Sequence, residues 1–387
     1  MSQTYPGCYS IGMPTPSDFH IDRTDGMSDG TNLDSRGVGD WAASTCERSR
    51  ALYSAGITPT RAATALGYPP DQSKSQFAMD TGYWFEHDLL KTETITDEIT
   101  GRTRQVEAAG LRRLYAARTD AYAACAHGSY IDWDQYDDPI VRRAASVQER
   151  AARRQEVAQQ WILARMRGEV CDYAIMGQVQ LEIPGVCRPN PDLLLIDGHR
   201  GWRVGEVKSY LDRDGLTDGV KIAKAVLQGA VSIYALRLLA EAHGLDPDLI
   251  SDRVDLVFLR TGKEAASLHI VTAQAELAAV RAAVEDRERF LQQLGLEQID
   301  IEDPQQAQAQ IASIDYSYGA ACEAECALST FCSKHRDNDA VPVAVRGRLA
   351  EAVSAEGHDV ARLVQLQQGA PAADAADAAA AFILRDI

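Results

Sequence analysis

Residues 191–210 read PDLLLIDGHRGWRVGEVKSY: an apolar run, a glycine-rich turn and a second run that ends in Glu-Val-Lys. No other stretch constrains the fold as much. Leu193 to Ile196 is apolar throughout, as a buried strand is, and the glycines after Asp197 turn the chain back as a second strand. Residues two apart in a strand share a face, so Glu206 and Lys208 point to one side while Val207 turns into the core. Asp192 opens the first strand. A carboxylate from each of two adjacent strands, with a lysine, forms a compact site for a metal ion and a water. This stretch is the candidate active centre.

The chain has 387 residues, enough for one large domain or two ordinary ones, and 45% of them are hydrophobic, enough for a sizeable core. No leader-like pattern opens the chain and no apolar run of membrane-spanning length is expected, which points to a soluble cytoplasmic protein without a membrane partner. The formal net charge of −17 argues against a generally adhesive nucleic-acid binder. It leaves room for an enzyme with a local basic lining. Between Val141 and Gly168, Arg142, Arg143, Arg150, Arg153, Arg154, Arg165 and Arg167 face only Glu149 and Glu156. They are spread around a predicted helix, so part of the set is solvated.

The remaining patterns place this centre within an α/β chain. Residues 1–40, rich in Gly, Ser, Asp and Thr, read as an arm or loop, and 41–337 as the main domain. Residues 338–387 form a helical, Ala/Asp-rich tail. Helices are predicted over 41–55, 73–91, 107–124, 139–168, 217–241 and 273–294, and a hairpin over 92–106. Strands are predicted over 173–183, 254–259 and 267–272. No phosphate-binding GxxxxGK[ST] loop occurs, so the chain carries no nucleotide-driven motor of its own.

Three of the eight cysteines, Cys322, Cys326 and Cys332, fall within eleven residues. Cys322 and Cys326 are one helical turn apart, on one face. Three thiols make an incomplete tetrahedral site, and two completions compete. His335 would complete a zinc site of three thiolates and an imidazole. Cys46 would complete an all-cysteine site able to hold a 4Fe–4S cluster. Cys8, Cys125, Cys171 and Cys187 show no partner pattern and read as small buried hydrophobes.

In its order of elements and in the motifs Pro191-Asp192 and Glu206-Val207-Lys208, with Gly82…Glu86-His87 on a helix upstream, the chain resembles the PD-(D/E)xK nucleases of the RecB type. Cysteines placed once before this core and three times after it, five residues separating the last pair, resemble the CRISPR-associated RecB-like exonucleases and AddB-type nuclease domains. The Cys-x3-Cys spacing departs from their usual Cys-x2-Cys at Cys322. The resemblance implies a restriction-endonuclease-like core, a mixed central sheet flanked by helices, with a discontinuous helical iron–sulfur module built from N- and C-terminal segments. It implies a Mg²⁺- or Mn²⁺-dependent deoxyribonuclease, an exonuclease on single-stranded or frayed ends, in DNA repair or antiphage defence. It assigns the metal to His87, Asp192, Glu206 and the Val207 carbonyl, and catalysis to Lys208, Glu206, Asp192 and Gln228. Cys46, Cys322, Cys326 and Cys332 then hold the cluster. Glu86 is an alternative to His87, Tyr210 could share the face of Lys208, and Tyr234 is packing. A helicase or integrase-type partner would supply what the chain lacks. Two other readings are a catalytically silent DNA-binding or assembly subunit on the same fold, and a redox iron–sulfur protein, which leaves residues 191–208 unexplained.

Overall fold

The structure is a computed structural model. It describes residues 33–69, 76–96, 99–116, 125, 129–133, 135–137, 139–169, 173–212, 218–260, 266–294, 299–316, 322, 326–338, 362, 365–366 and 369–384. Most of the expected arm, with Cys8, and also Cys171 lie outside these residues.

The chain is mixed α/β. Eight strands are described: β1 Glu93–Thr96, β2 Thr103–Val106, β3 Ser129–Asp132, β4 Tyr173–Gly177, β5 Leu193–Asp197, β6 Gly201–Asp212, β7 Ile250–Arg260 and β8 Ala266–Thr272. The first two form the expected hairpin, and the others a six-stranded sheet in the order β3-β4-β5-β6-β7-β8. Leu193 to Ile196 are buried, which is why β5 sits inside the sheet. It pairs antiparallel with β6 through a turn at Gly198 (φ +58°). The β6–β7 pair is parallel, as is β3–β4; β4–β5 and β7–β8 are antiparallel. The parallel pairs follow from the helical crossovers between their strands.

The described helices are α1 Ser35–Ala43, α2 Glu47–Ser54, α3 Pro59–Ala65, α4 Gln76–Leu90, α5 Ala109–Ala116, α6 Pro139–Arg142, α7 Val147–Met166, α8 Gly219–Ala242, α9 Gln274–Glu285, α10 Arg287–Gln293, α11 Pro304–Ser313, α12 Ser329–Asn338 and α13 Ala375–Leu384. Of these, α6 and α7 cross between β3 and β4, and α8 between β6 and β7. Three expected helices prove to be two each, and the arm gives way to helix from Ser35. The 41–55 segment breaks because Ser44 is extended (φ −73°, ψ 128°), and Cys46 becomes the N-cap residue of α2. The 139–168 segment restarts at Ser146, whose Oγ accepts from Glu149 N while Glu149 Oε2 accepts from Ala145 N. That Ser-x-x-Glu box is legible in the sequence. The 273–294 segment is interrupted at Asp286. The strand expected over 173–183 stops at Gly177, because Gln178 takes a left-handed conformation (φ +55°).

The crossover helix α8 packs on β6 and β7 and against α1 and α9. It is apolar and long enough to cross a membrane by composition, contrary to the expectation from the sequence. Its burial between sheet and helices accounts for that composition. Closest approach comes at Gly229, where an added Cβ would lie 2.6 and 2.7 Å from the Val254 methyls. Gly229→Ala is expected to lower stability by about 1–3 kcal/mol through overpacking. Urea unfolding would read this as a lower midpoint at unchanged slope.

The main hydrophobic core lies around the sheet. A second core joins Ala51, Leu52, Ile57 and Ala62 of the N-terminal segments to Ile311, Ile314, Leu328, Phe331 and Cys332 of the C-terminal ones. Distant ends of the chain therefore share one apolar cluster.

Candidate functional site

Asp192, Glu206 and Lys208 meet where β5 begins and β6 continues past it. Lys208 Nζ lies 2.6 Å from Glu206 Oε2 and 3.3 Å from Asp192 Oδ2. Asp192 Oδ2 also accepts from the backbone N–H of Val207 at 2.9 Å, which ties the carboxylate to the second strand. The group grades from interior to surface: Glu206 is 4% exposed, and Lys208 and Asp192 are half-buried.

Helix α4 crosses beside this group. A Cβ on Gly82 would lie 3.4 Å from Ser209 Oγ, one residue beyond Lys208. One turn on, Glu86 falls on the same side of the helix. Its Oε1 accepts from Gln178 Nε2 at 3.3 Å, and Gln178 Oε1 accepts from Asn190 Nδ2 at 3.0 Å. This relay ends two residues before Asp192. His87 is exposed, its ring stacked on Tyr83 and edge-on to Trp84. The structure thus turns Glu86 toward Gln178 and leaves His87 among exposed rings. Gln178 was not singled out in the sequence. It became recognisable only once its chain reversal placed it between Glu86 and Asn190.

Gln228 sits half-buried on α8, one residue before Gly229, and no described hydrogen bond joins its side chain to Asp192, Glu206 or Lys208. Tyr234 is buried in the main core, and Tyr210 stacks on Phe258 beneath Lys221. Much of the arginine-rich segment is engaged locally: Arg142 with Asp137, Arg153 with Glu156, Arg167 with Glu169, and Arg154 and Arg165 on backbone carbonyls.

Burial pushes the Glu206 carboxyl up to about 7, against the pull of Lys208 and with help from Asp192. Two carboxylates act on one ammonium, so the Lys208 charge is held well above the ordinary lysine range despite its burial. A raised carboxyl pKa stabilises the fold fully below the ordinary value near 4.5, and that contribution is lost as pH rises through about 7. In metal-free protein Glu206→Gln is therefore expected to be more stable than the parent at pH 8, by on the order of 2 kcal/mol. The gap should close by pH 5. Denaturant midpoints across this window check it; a gap independent of pH would contradict the assignment.

At the second core, Cys46 stands at the head of α2, Cys332 is buried on α12, and Cys322 and Cys326 pack against the same cluster. Cys326 N donates to Cys322 O at 3.0 Å, one turn apart as expected. Burial pushes the Cys326 thiol up to about 11, and the nearby Cys322, Cys332 and Cys46 raise it further. The four thiols thus form one neighbourhood. His335 lies on α12, with its side chain outside the described ones. Cys125 and Cys187 are buried apart from them, with thiols raised by burial to about 11 and 12, as expected for small hydrophobes. Arg48, in the Cys-Glu-Arg-Ser stretch around Cys46 and given no role from the sequence, contacts Cys332.

Among the described residues, no three His, Cys, Asp or Glu side chains form a ready-made metal-binding group. Comparison of the chain with protein-family models, curated proteins and solved structures returns no match.

Proposed function

We propose that the protein is a metal-dependent deoxyribonuclease with a restriction-endonuclease-like core, acting as an exonuclease on single-stranded or frayed ends. The observation that carries this reading is the convergence of Asp192, Glu206 and Lys208, with one carboxyl held at a raised pKa by burial. A carboxyl raised by burial beside a specific charge partner is a candidate for a site of chemistry. The donor set fits a hard divalent ion, which takes carboxylate and carbonyl oxygens. Asp192 and Glu206 share one cation, the Lys208 ammonium, and the same carboxylate oxygens would be offered to a divalent ion.

When bound, Mg²⁺ or Mn²⁺ supplies the Lewis acidity that polarises a phosphate and lowers the pKa of water. Asp192 and Glu206 would hold it, with the Val207 carbonyl between Glu206 and Lys208 in sequence, and Glu86, whose carboxylate accepts from Gln178, is the alternative to His87 for completing the ligand set. Lys208 orients the attacking water and offsets charge on the phosphate. The cysteine neighbourhood is read as a 4Fe–4S site that ties the chain ends around the nuclease core, with the zinc site through His335 as the competing completion.

The exposed rings of α4 favour single strands. Trp84 is 60% exposed and meets Tyr83 edge-on, close to the Gly82 that abuts β6. Unpaired bases stack on such rings irrespective of sequence. Trp84→Ala is expected to weaken binding of a fluorescent single-stranded oligothymidine about 10-fold, and duplex binding much less. The reading as a whole is tested by digestion of end-labelled single-stranded DNA with Mn²⁺. Intact DNA at every metal and pH tried would overturn it.

A further inference from the structure

Arg48 is 1% exposed, in the first turn of α2 and two residues past Cys46. Its Nη2 donates to the carbonyls of Ala312 (3.1 Å) and Ile314 (2.9 Å). The guanidinium lies 4.0 Å from the centre of the Tyr316 ring. Nη1 donates to Cys332 Sγ at 3.2 Å, and Nε has no partner among the described residues. No carboxylate pairs with Arg48 among the described residues.

Arginine does not give up its proton in a protein, so this is a permanently buried cation. Carbonyl dipoles and a ring face soften its desolvation but bring no compensating charge. The contrast within the same chain is direct. Arg203, equally buried in the main core, has Asp255 at 2.9 Å. Arg48 has instead a cysteine that belongs to a group of four. Neutral thiols would leave the cation uncompensated, whereas four thiolates around a metal centre carry net negative charge, whether the metal is zinc or an iron–sulfur cluster.

We infer that Arg48 is the buried counter-charge and sulfur hydrogen-bond donor of a thiolate-ligated metal centre formed by Cys46, Cys322, Cys326 and Cys332. It is a positioning residue: it stabilises the bound state of the centre and holds the Cys332 sulfur in place, while anchoring α2 to the chain after α11. The inference rests on reading these cysteines as metal ligands.

The test compares the parent, Arg48→Lys and Arg48→Gln, each purified anaerobically from cells replete in iron and zinc. Metal content, visible absorbance and the rate of metal loss to excess EDTA are measured. Arg48→Gln is expected to lose metal about 10- to 100-fold faster than the parent, as when an outer partner of a ligand is removed. Arg48→Lys, which keeps the charge, should fall between. Denaturant unfolding then separates charge balance from packing. With metal bound, Arg48→Gln should unfold at lower denaturant than the parent. In the reduced, metal-stripped protein the order should reverse, because the uncompensated cation is gone.

A deficit of the same size in both states would overturn the inference, as would metal loss at the parent rate. A parent without metal would overturn the reading of the cysteines themselves, and the inference with it. If Arg48→Gln proves insoluble, Arg48→Lys carries the same comparison: metal loss no faster than the parent, or an equal deficit with and without metal, counts against.

Discussion

Glu206→Gln and Lys208→Ala are each expected to lower Mn²⁺-dependent digestion of single-stranded DNA by about 10³-fold, the scale on which positioned charges and proton-transfer groups act. Glu206→Gln is the sharper of the two. It keeps the side-chain volume and an oxygen within reach of Lys208, so packing is preserved while the charge that would hold the ion is removed. The same change is expected to stabilise the metal-free protein above pH 7, because the buried carboxylate no longer has to ionise. Lost activity with gained stability is the signature of a group retained for chemistry, and it separates the site from a strand-pairing ion pair. Lys208→Ala leaves Glu206 and Asp192 as neighbouring carboxylates without their shared cation. Its fold should therefore be checked by circular dichroism before its activity is read. If both variants digest DNA at the parent rate, the catalytic centre lies elsewhere.

Cys46→Ala should have the second large effect. Cys46 comes from the N-terminal side of the second core, and the other three cysteines come from its C-terminal side. A bound metal there closes a loop containing most of the chain, including the whole sheet. By the loop-entropy rule for long cross-linked loops, losing that closure costs on the order of 5 kcal/mol. The associated thermal transition should drop by roughly 10 °C, with metal and any visible absorbance lost. Cys187→Ala, buried in the main core and remote from this group, serves as the comparison and should cost about 1 kcal/mol with metal unchanged. A Cys46→Ala protein that keeps its full complement of zinc, and loses it only on His335→Ala, would select the three-cysteine, one-histidine site.

Alternation, apolar runs and turn glycines carried much of the fold into the amino-acid sequence. These signals are local: a strand's period and a left-handed glycine are properties of a few adjacent residues. Hence β5, β6, β7, β8 and α8 stand close to where their patterns place them, and so does the β1–β2 hairpin. The same locality made Asp192, Glu206 and Lys208 readable as a group, since two paired strands and a period of two suffice to bring them together. The helix breaks at Ser44 and Asp286 lack so clear a signal, because either continuation is compatible with the residues alone. What settles them is the packing of each half against a different neighbour.

Which face of α4 looks inward was likewise beyond the pattern. Glu86 and His87 are adjacent and both polar, and only the close approach of Gly82 to Ser209 orients one toward Gln178 and the other to solvent. Arg48 lay furthest from view. Standing between Glu47 and Arg50, it shows no local sign of burial, which depends on carbonyls at 312 and 314, a ring at 316 and a sulfur at 332. The chain's local chemistry names the candidate ligands and the strands that bear them. Contacts between segments hundreds of residues apart assign the groups that support them, because burial and charge compensation arise only when those segments meet.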